Sequence, residues 1–193
     1  MFRRGFKTWS EQTSARIRQK LGLPEDSPLD LIRLAESLGV FVAGPHQLSD
    51  LDPGSRDRLL GANSDEWSAL TVTDGSNSLI LLNTSHAPTR RNSDLAHEIA
   101  HIILGHEPSK MFISSTSNFA IRTHDVSQEE EASWLAGALL LPRIALLRLR
   151  RENVGDEQAC KKYVVSPAML RYRRSVTGVD VQLRRTSRWK RSK

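Results

Sequence analysis

Apolar positions recur along the 193-residue chain with two different periods, and the change from one to the other predicts most of its elements. Ala15, Ile17 and Leu21 are the apolar positions of an amphipathic helix expected over 9–21, which Gly22 ends. Ser27 before Pro28 reads as an N-cap and first helical position for a second helix over 28–38, stopped at Gly39. Val40, Phe41 and Val42 predict a short strand, and a polar stretch over 45–66 holds a short helix at 56–60. The apolar and β-prone runs 69–73 and 79–82 flank the turn residues Asp74-Gly75-Ser76-Asn77, which predicts a β-hairpin. Pro88 opens a helix carrying Leu95, Ala96, Ile99, Ala100 and Ile103 and ending near Gly105. Residues 107–126, rich in Ser and Thr, read as a loop. Ser127 or Gln128 starts a strongly apolar helix that runs to Leu141 and stops at Pro142. Three further helices are expected at 144–149, 157–164 and 167–176, the last entered through Ser166-Pro167.

Composition supports a packed core: 38% of residues are apolar and 26% charged, which excludes wholesale disorder. The formal charge of +6 and pI near 9.9 point first to nucleic acid. Divided along the chain, residues 1–142 hold 13 Lys/Arg against 18 Asp/Glu and residues 143–193 hold 15 against 4, so the basic character belongs to the last quarter. A lone cysteine, Cys160, excludes an intramolecular disulfide and fits a reducing compartment. Arg3, Arg4 and Lys7 lead into Glu11, Arg16 and Arg18 with no apolar stretch between, so no secretory signal is expected. The longest uncharged apolar run, 132–142, is well short of the roughly 18 residues of a membrane span. The expectation is a soluble cytoplasmic protein.

The chemistry sits in the helix that Pro88 opens, where His97-Glu98-Ile99-Ala100-His101 matches H-E-x-x-H. Residues i and i+4 project from one face, so two imidazoles can grip one metal while Glu98, about 100° round, borders the same cleft. A catalytic zinc needs a third protein ligand and an open position. The long motif H-E-x-x-H-x-x-G-x-x-H is excluded, since Leu104 and Glu107 stand where its glycine and third histidine belong. The next helix offers Glu129-Glu130-Glu131. Glu129 shares its face with Ala132 and Ala136, small residues that allow close helix approach, which makes it the inward acid. Glu130 and Glu131 are expected at the solvent or capping the helix N-terminus. His86, His106 and His124 are eligible oxyanion stabilisers, and the strand 69–73 is a candidate edge for holding an extended substrate.

Ile80-Leu81-Leu82-Asn83, His86 to Pro88, Leu95 to His106 and the run from Glu131 to Pro142 together resemble the ImmA/IrrE family of zinc metallo-endopeptidases, over roughly residues 28–175. The resemblance implies an α+β, zincin-like (gluzincin-type) fold, a short antiparallel sheet packed on the H-E-x-x-H helix and a helical, helix-turn-helix-like C-terminal segment. It implies His97, His101 and Glu129 as Zn2+ ligands, Glu98 as general base, and a repressor or antitoxin with a helix-turn-helix as the protein cleaved. Ser93 and Leu135 stand where the family usually has aromatics, and few residues precede Ser27 for the N-terminal repressor-like domain that many members carry.

The expected organisation is a metallopeptidase core over 1–142, a helical segment over 143–183 and a basic tail over 184–193. Residues 159–174 read as helix, turn, helix, and DNA contact through this basic segment is physically reasonable. The same residues also suit a helical pair packed on the core with a solvated basic face. The runner-up to a zinc endopeptidase is therefore a weakly catalytic or non-catalytic zinc-binding module that docks a repressor or DNA.

Overall fold

The computed structural model describes residues 2–48, 67–74, 77–106, 111–113, 120–122 and 125–183, with Gly54 and Leu59 besides. The expected helix at 56–60 (Leu59 apart), the turn residues Gly75-Ser76, His124 and the tail 184–193 lie outside them. The elements in chain order are α1 (Phe6–Lys20), α2 (Leu31–Ser37), β1 (Val40–Ala43), β2 (Ala69–Asp74), β3 (Asn77–Leu82), α3 (Pro88–Leu104), β4 (Met111–Ile113), β5 (Ala120–Arg122), α4 (Val126–Leu140), α5 (Arg143–Arg151), α6 (Asp156–Tyr163) and α7 (Pro167–Thr177). The architecture is mixed α+β and mostly helical around a small sheet.

Local chemistry moves several boundaries. Asp30, not Ser27, caps α2, its carboxylate accepting from the Ile32 and Arg33 N–H groups at 3.0 and 3.2 Å, so the helix starts at Leu31. The carbonyl of Ser27 instead accepts from Arg18 Nε at 2.8 Å. Helix α1 begins at Phe6, ahead of the expected start at residue 9. Asp125 caps α4 by accepting from Ser127 N–H at 2.9 Å, which begins that helix at Val126. The stretch read as one loop over 107–126 contains β4 and β5, paired antiparallel with Phe112 opposite Ile121.

The main sheet has the order β1-β3-β2 and is mixed, where a short antiparallel sheet was expected. Strands β2 and β3 form the predicted hairpin, with Thr71 opposite Ile80. On its other side β3 takes β1 in parallel, Val42 opposite Ile80, the antiparallel β2 having returned the chain to the end of the sheet at which β1 also starts. This leaves β2 at the edge. Leu34 of α2, the fully buried Ile80, Ile99 of α3 and Leu135 and Leu139 of α4 share one core.

Helix α4 is buried from Trp134 to its end, on every side. Its last carbonyls therefore need partners from the protein. Ser14 Oγ donates to the Ala138 carbonyl at 2.7 Å, Arg18 Nη2 to Leu139 at 2.7 Å and Arg173 Nε to Leu141 at 3.0 Å. Both arginines are fully buried, and burial pulls Arg18 down to about 10. Pro142 then turns the chain into α5, whose first N–H, from Arg143, donates to Glu11 Oε2 at 2.7 Å. Glu11 Oε1 accepts from Arg173 Nη2 at 2.5 Å, which closes the junction. Gly137 makes room for this arginine, since a Cβ there would lie 2.9 Å from Arg173 Cδ. Among the described residues no single helix is long and apolar enough to cross a membrane.

The C-terminal helices are tied to the rest by their own basic residues. Ser166 caps α7 by accepting from Met169 N–H, and Arg174 pairs with Asp156 at 2.6 Å. Arg148 reaches Asp26 and Glu152 at 2.5 and 2.8 Å, and Arg150 reaches Asp180 at 2.8 Å. Removing the buried Arg173 takes the donor from the Leu141 carbonyl and from Glu11 Oε1, while Glu11 Oε2 keeps the Arg143 N–H. Arg173→Met is expected to cost about 3 kcal/mol, a fall in Tm of roughly 6–12 °C for a chain of this size, with Gly137→Ala lowering Tm by a smaller amount; thermal unfolding followed by circular dichroism measures both.

Candidate metal centre

Helix α3 buries Leu95, Ala96, Ile99 and Ala100 against the core, so His97, Glu98 and His101 emerge on its half-buried side. Pro88 at its first position needs no hydrogen bond there, and its fixed φ suits the start of the helix. The His97 and His101 Nε2 atoms stand 3.0 Å apart. Glu129, in the first turn of α4, places Oε2 3.0 Å from His97 Nε2 and Oε1 3.6 Å from His101 Nε2.

One ligand atom from each of these three residues lies within 4.8 Å of the others. Donors bound tetrahedrally at about 2.0–2.2 Å from one ion are separated by about 3.3 Å. The observed spacings bracket that value, and the set of two imidazoles and a carboxylate suits a divalent transition metal. Burial, then the neighbouring His97, pushes His101 down to about 4, so near neutral pH it is the uncharged imidazole that can offer a lone pair. Glu98 accepts from Thr71 Oγ1 at 2.5 Å, which joins the edge strand β2 to the same site.

Residues 58–175 match the model of a peptidase family described as the IrrE N-terminal-like domain, Peptidase_M78. The chain belongs to this family. The matched region begins past α2 and β1 and ends within α7, so it includes every residue of the three-donor cluster as well as Thr71 and Glu98. No curated protein matches the chain. Membership makes this a peptidase-family domain, and His97, His101 and Glu129, from α3 and α4, are a group within it that could hold a metal ion.

The other singled-out residues of this domain are placed elsewhere. His86 is buried, its Nε2 3.4 Å from Asn83 Nδ2 and its Nδ1 3.6 Å from Asp94 Oδ2, one turn before the H-E-x-x-H sequence. His106 lies behind His101, with Nδ1 2.9 Å from His101 Nδ1, the nitrogen turned away from Glu129. Glu130 lines a cleft beside Glu129 with Phe2, Val126, Ser133, Trp134 and Tyr172. Glu131, expected to be solvated or capping, is largely covered, with His106 Nε2 at 3.6 Å and Arg3 Nε at 3.5 Å. Sequence reasoning missed both Thr71 and Glu131. A hydroxyl on an interior-facing strand position and a third consecutive glutamate carry no local signal of what they will meet.

Glu129→Gln is expected to weaken zinc affinity by more than the 10- to 100-fold that loss of an outer partner costs, with Glu130→Gln leaving it within a few-fold. Competition against a chromophoric chelator measures both, together with a stoichiometry of about one zinc per chain.

Proposed function

We propose that this chain is a zinc-dependent endopeptidase that hydrolyses a peptide bond in a partner protein, and that the partner is a helix-turn-helix transcriptional repressor or antitoxin, as the family resemblance implies. The observation that supports the chemistry is the convergence of His97, His101 and Glu129, with Glu98 on the next position of the same helix.

His97, His101 and Glu129 would hold the metal, two histidines and a glutamate being a catalytic zinc donor set that leaves a fourth position open. Zinc bound there supplies Lewis acidity, acidifying water and polarising a carbonyl. Glu98 takes the proton of the attacking water and returns it to the leaving amine, so the peptide C–N bond breaks without a covalent intermediate on the protein. Thr71 holds the carboxylate of Glu98 in place through its short donated bond, a contact to a charged group that is stronger than a neutral one. Strand β2 sits at the sheet edge beside Glu98, so its outward N–H and C=O groups can pair with an extended peptide. That position suits a substrate segment that is unfolded or lies in a flexible linker.

Glu98→Gln is expected to lower kcat/KM by roughly 10²- to 10⁴-fold with zinc still bound. Chelation should abolish cleavage and added zinc restore it. The assay incubates the purified chain with a repressor or antitoxin encoded beside it and follows fragments by mass spectrometry. Cleavage that persists in Glu98→Gln, or in metal-free protein, overturns the reading.

A further inference from the structure

We propose that His106 is a positioning residue for His101, fixing its ring and its tautomer through a chain that runs from Arg3 through Glu131 and His106 to the metal-facing imidazole. The inference rests on the zinc reading above.

The backbone explains how the two rings meet. Gly105 takes the left-handed conformation at φ 64°, ending α3, and the chain doubles back. Gly105 N–H donates to the Ile102 carbonyl at 3.1 Å and His106 N–H to the His101 carbonyl at 3.0 Å, the paired bonds of a Schellman turn. In that turn the side chains of residues 101 and 106 are brought together, a place where apolar contacts are usual. Here it holds two imidazoles, edge to face with centroids 4.9 Å apart, and the side chain of His106 is 8% exposed.

A contact of 2.9 Å between two ring nitrogens needs one proton between them. His101 Nε2 faces His97 and Glu129, so for that nitrogen to offer its lone pair the proton of His101 must sit on Nδ1. His106 Nδ1 then accepts it, and the proton of His106 lies on Nε2, toward Glu131 Oε2 at 3.6 Å. Arg3 Nε stands 3.5 Å from Glu131 Oε1 at the far end of this series of contacts. Metal-bound histidines commonly donate their second N–H to a carboxylate, carbonyl or water, and losing such an acceptor costs about 10- to 100-fold in metal affinity; here the acceptor is the His106 imidazole.

The test is zinc affinity of the full chain by chelator competition. His106→Phe keeps a ring and removes the acceptor; His106→Asn restores an acceptor oxygen without the ring. The expected result is affinity about 10- to 100-fold weaker for His106→Phe, recovered to within a few-fold by His106→Asn, with both variants folded by circular dichroism. Wild-type affinity in His106→Phe, or equal weakness in both variants, overturns the proposal. If His106→Phe does not fold, imidazole nitrogen–proton correlation spectra of the zinc-loaded wild type decide: a proton on His101 Nδ1 and on His106 Nε2 supports it, and any other placement overturns it. A wild-type chain that takes up no zinc fails the metallopeptidase reading itself and is visible before any variant is compared.

Discussion

A helix buried on all sides cannot leave its last carbonyls without partners, and the end of α4 meets that constraint with three side chains drawn from the two ends of the sequence. Ser14 and Arg18 come from α1 and Arg173 from α7, each donating to a different carbonyl between Ala138 and Leu141. The apolar run that makes α4 a core helix also obliges charged groups to enter the core. Glu11 completes the arrangement by accepting from both Arg173 and the first N–H of α5, so one carboxylate satisfies a buried cation and a helix start. Helices α1 and α7 are thereby fixed to the same turn.

The site depends on that anchoring because α4 carries Glu129 at its opposite end. Ala96 and Ala100 on α3 and Ala132 and Ala136 on α4 are all buried in one core, and small residues of this kind let two helices approach closely. Close approach brings a carboxylate from one helix within 3.0 Å of an imidazole on the other. The sheet contributes from the remaining side, where Thr71 of the edge strand meets Glu98. Two separate elements, α4 and β2, thus converge on α3, and each is held by the core rather than by the site.

What was legible in the sequence follows from how local its cause is. The i, i+4 spacing of His97 and His101 is a property of a single helix, and so is the shared face of Glu129 with Ala132 and Ala136. The hairpin of β2 and β3 and the stop at Gly105 are likewise decided within a few residues. Helix α2 starts at Leu31 rather than Pro28 because Ser27-Pro28 and Asp30 offer competing caps, and the choice goes to Asp30 while the Ser27 carbonyl is taken by Arg18. The parallel placement of β1 and the burial of Glu131 depend on groups far away in the chain, Ser78 to Leu81 for one and Arg3 and His106 for the other. Periodicity carries no trace of such partners.

The division of charge along the chain has the same explanation. The basic last quarter and the mildly acidic remainder are complementary in three dimensions: Arg173 meets Glu11 and Arg148 meets Asp26 across more than a hundred residues. Arg150 and Arg174 find acids within their own segment, and Arg143 bonds the Thr177 carbonyl and Gln182. Exposed pairs of this sort contribute little individually, about 0–1 kcal/mol, whereas the Arg173 side chain is fully buried and would be left as a charge in the core without its partners. Five of the fifteen Lys/Arg of this quarter are therefore engaged in joining α5, α6 and α7 to the core and to one another. Arg151, Lys161, Lys162 and Arg171 stand exposed beyond those contacts, and it is their arrangement, rather than the total of +6, that sets the field a partner of this segment would meet.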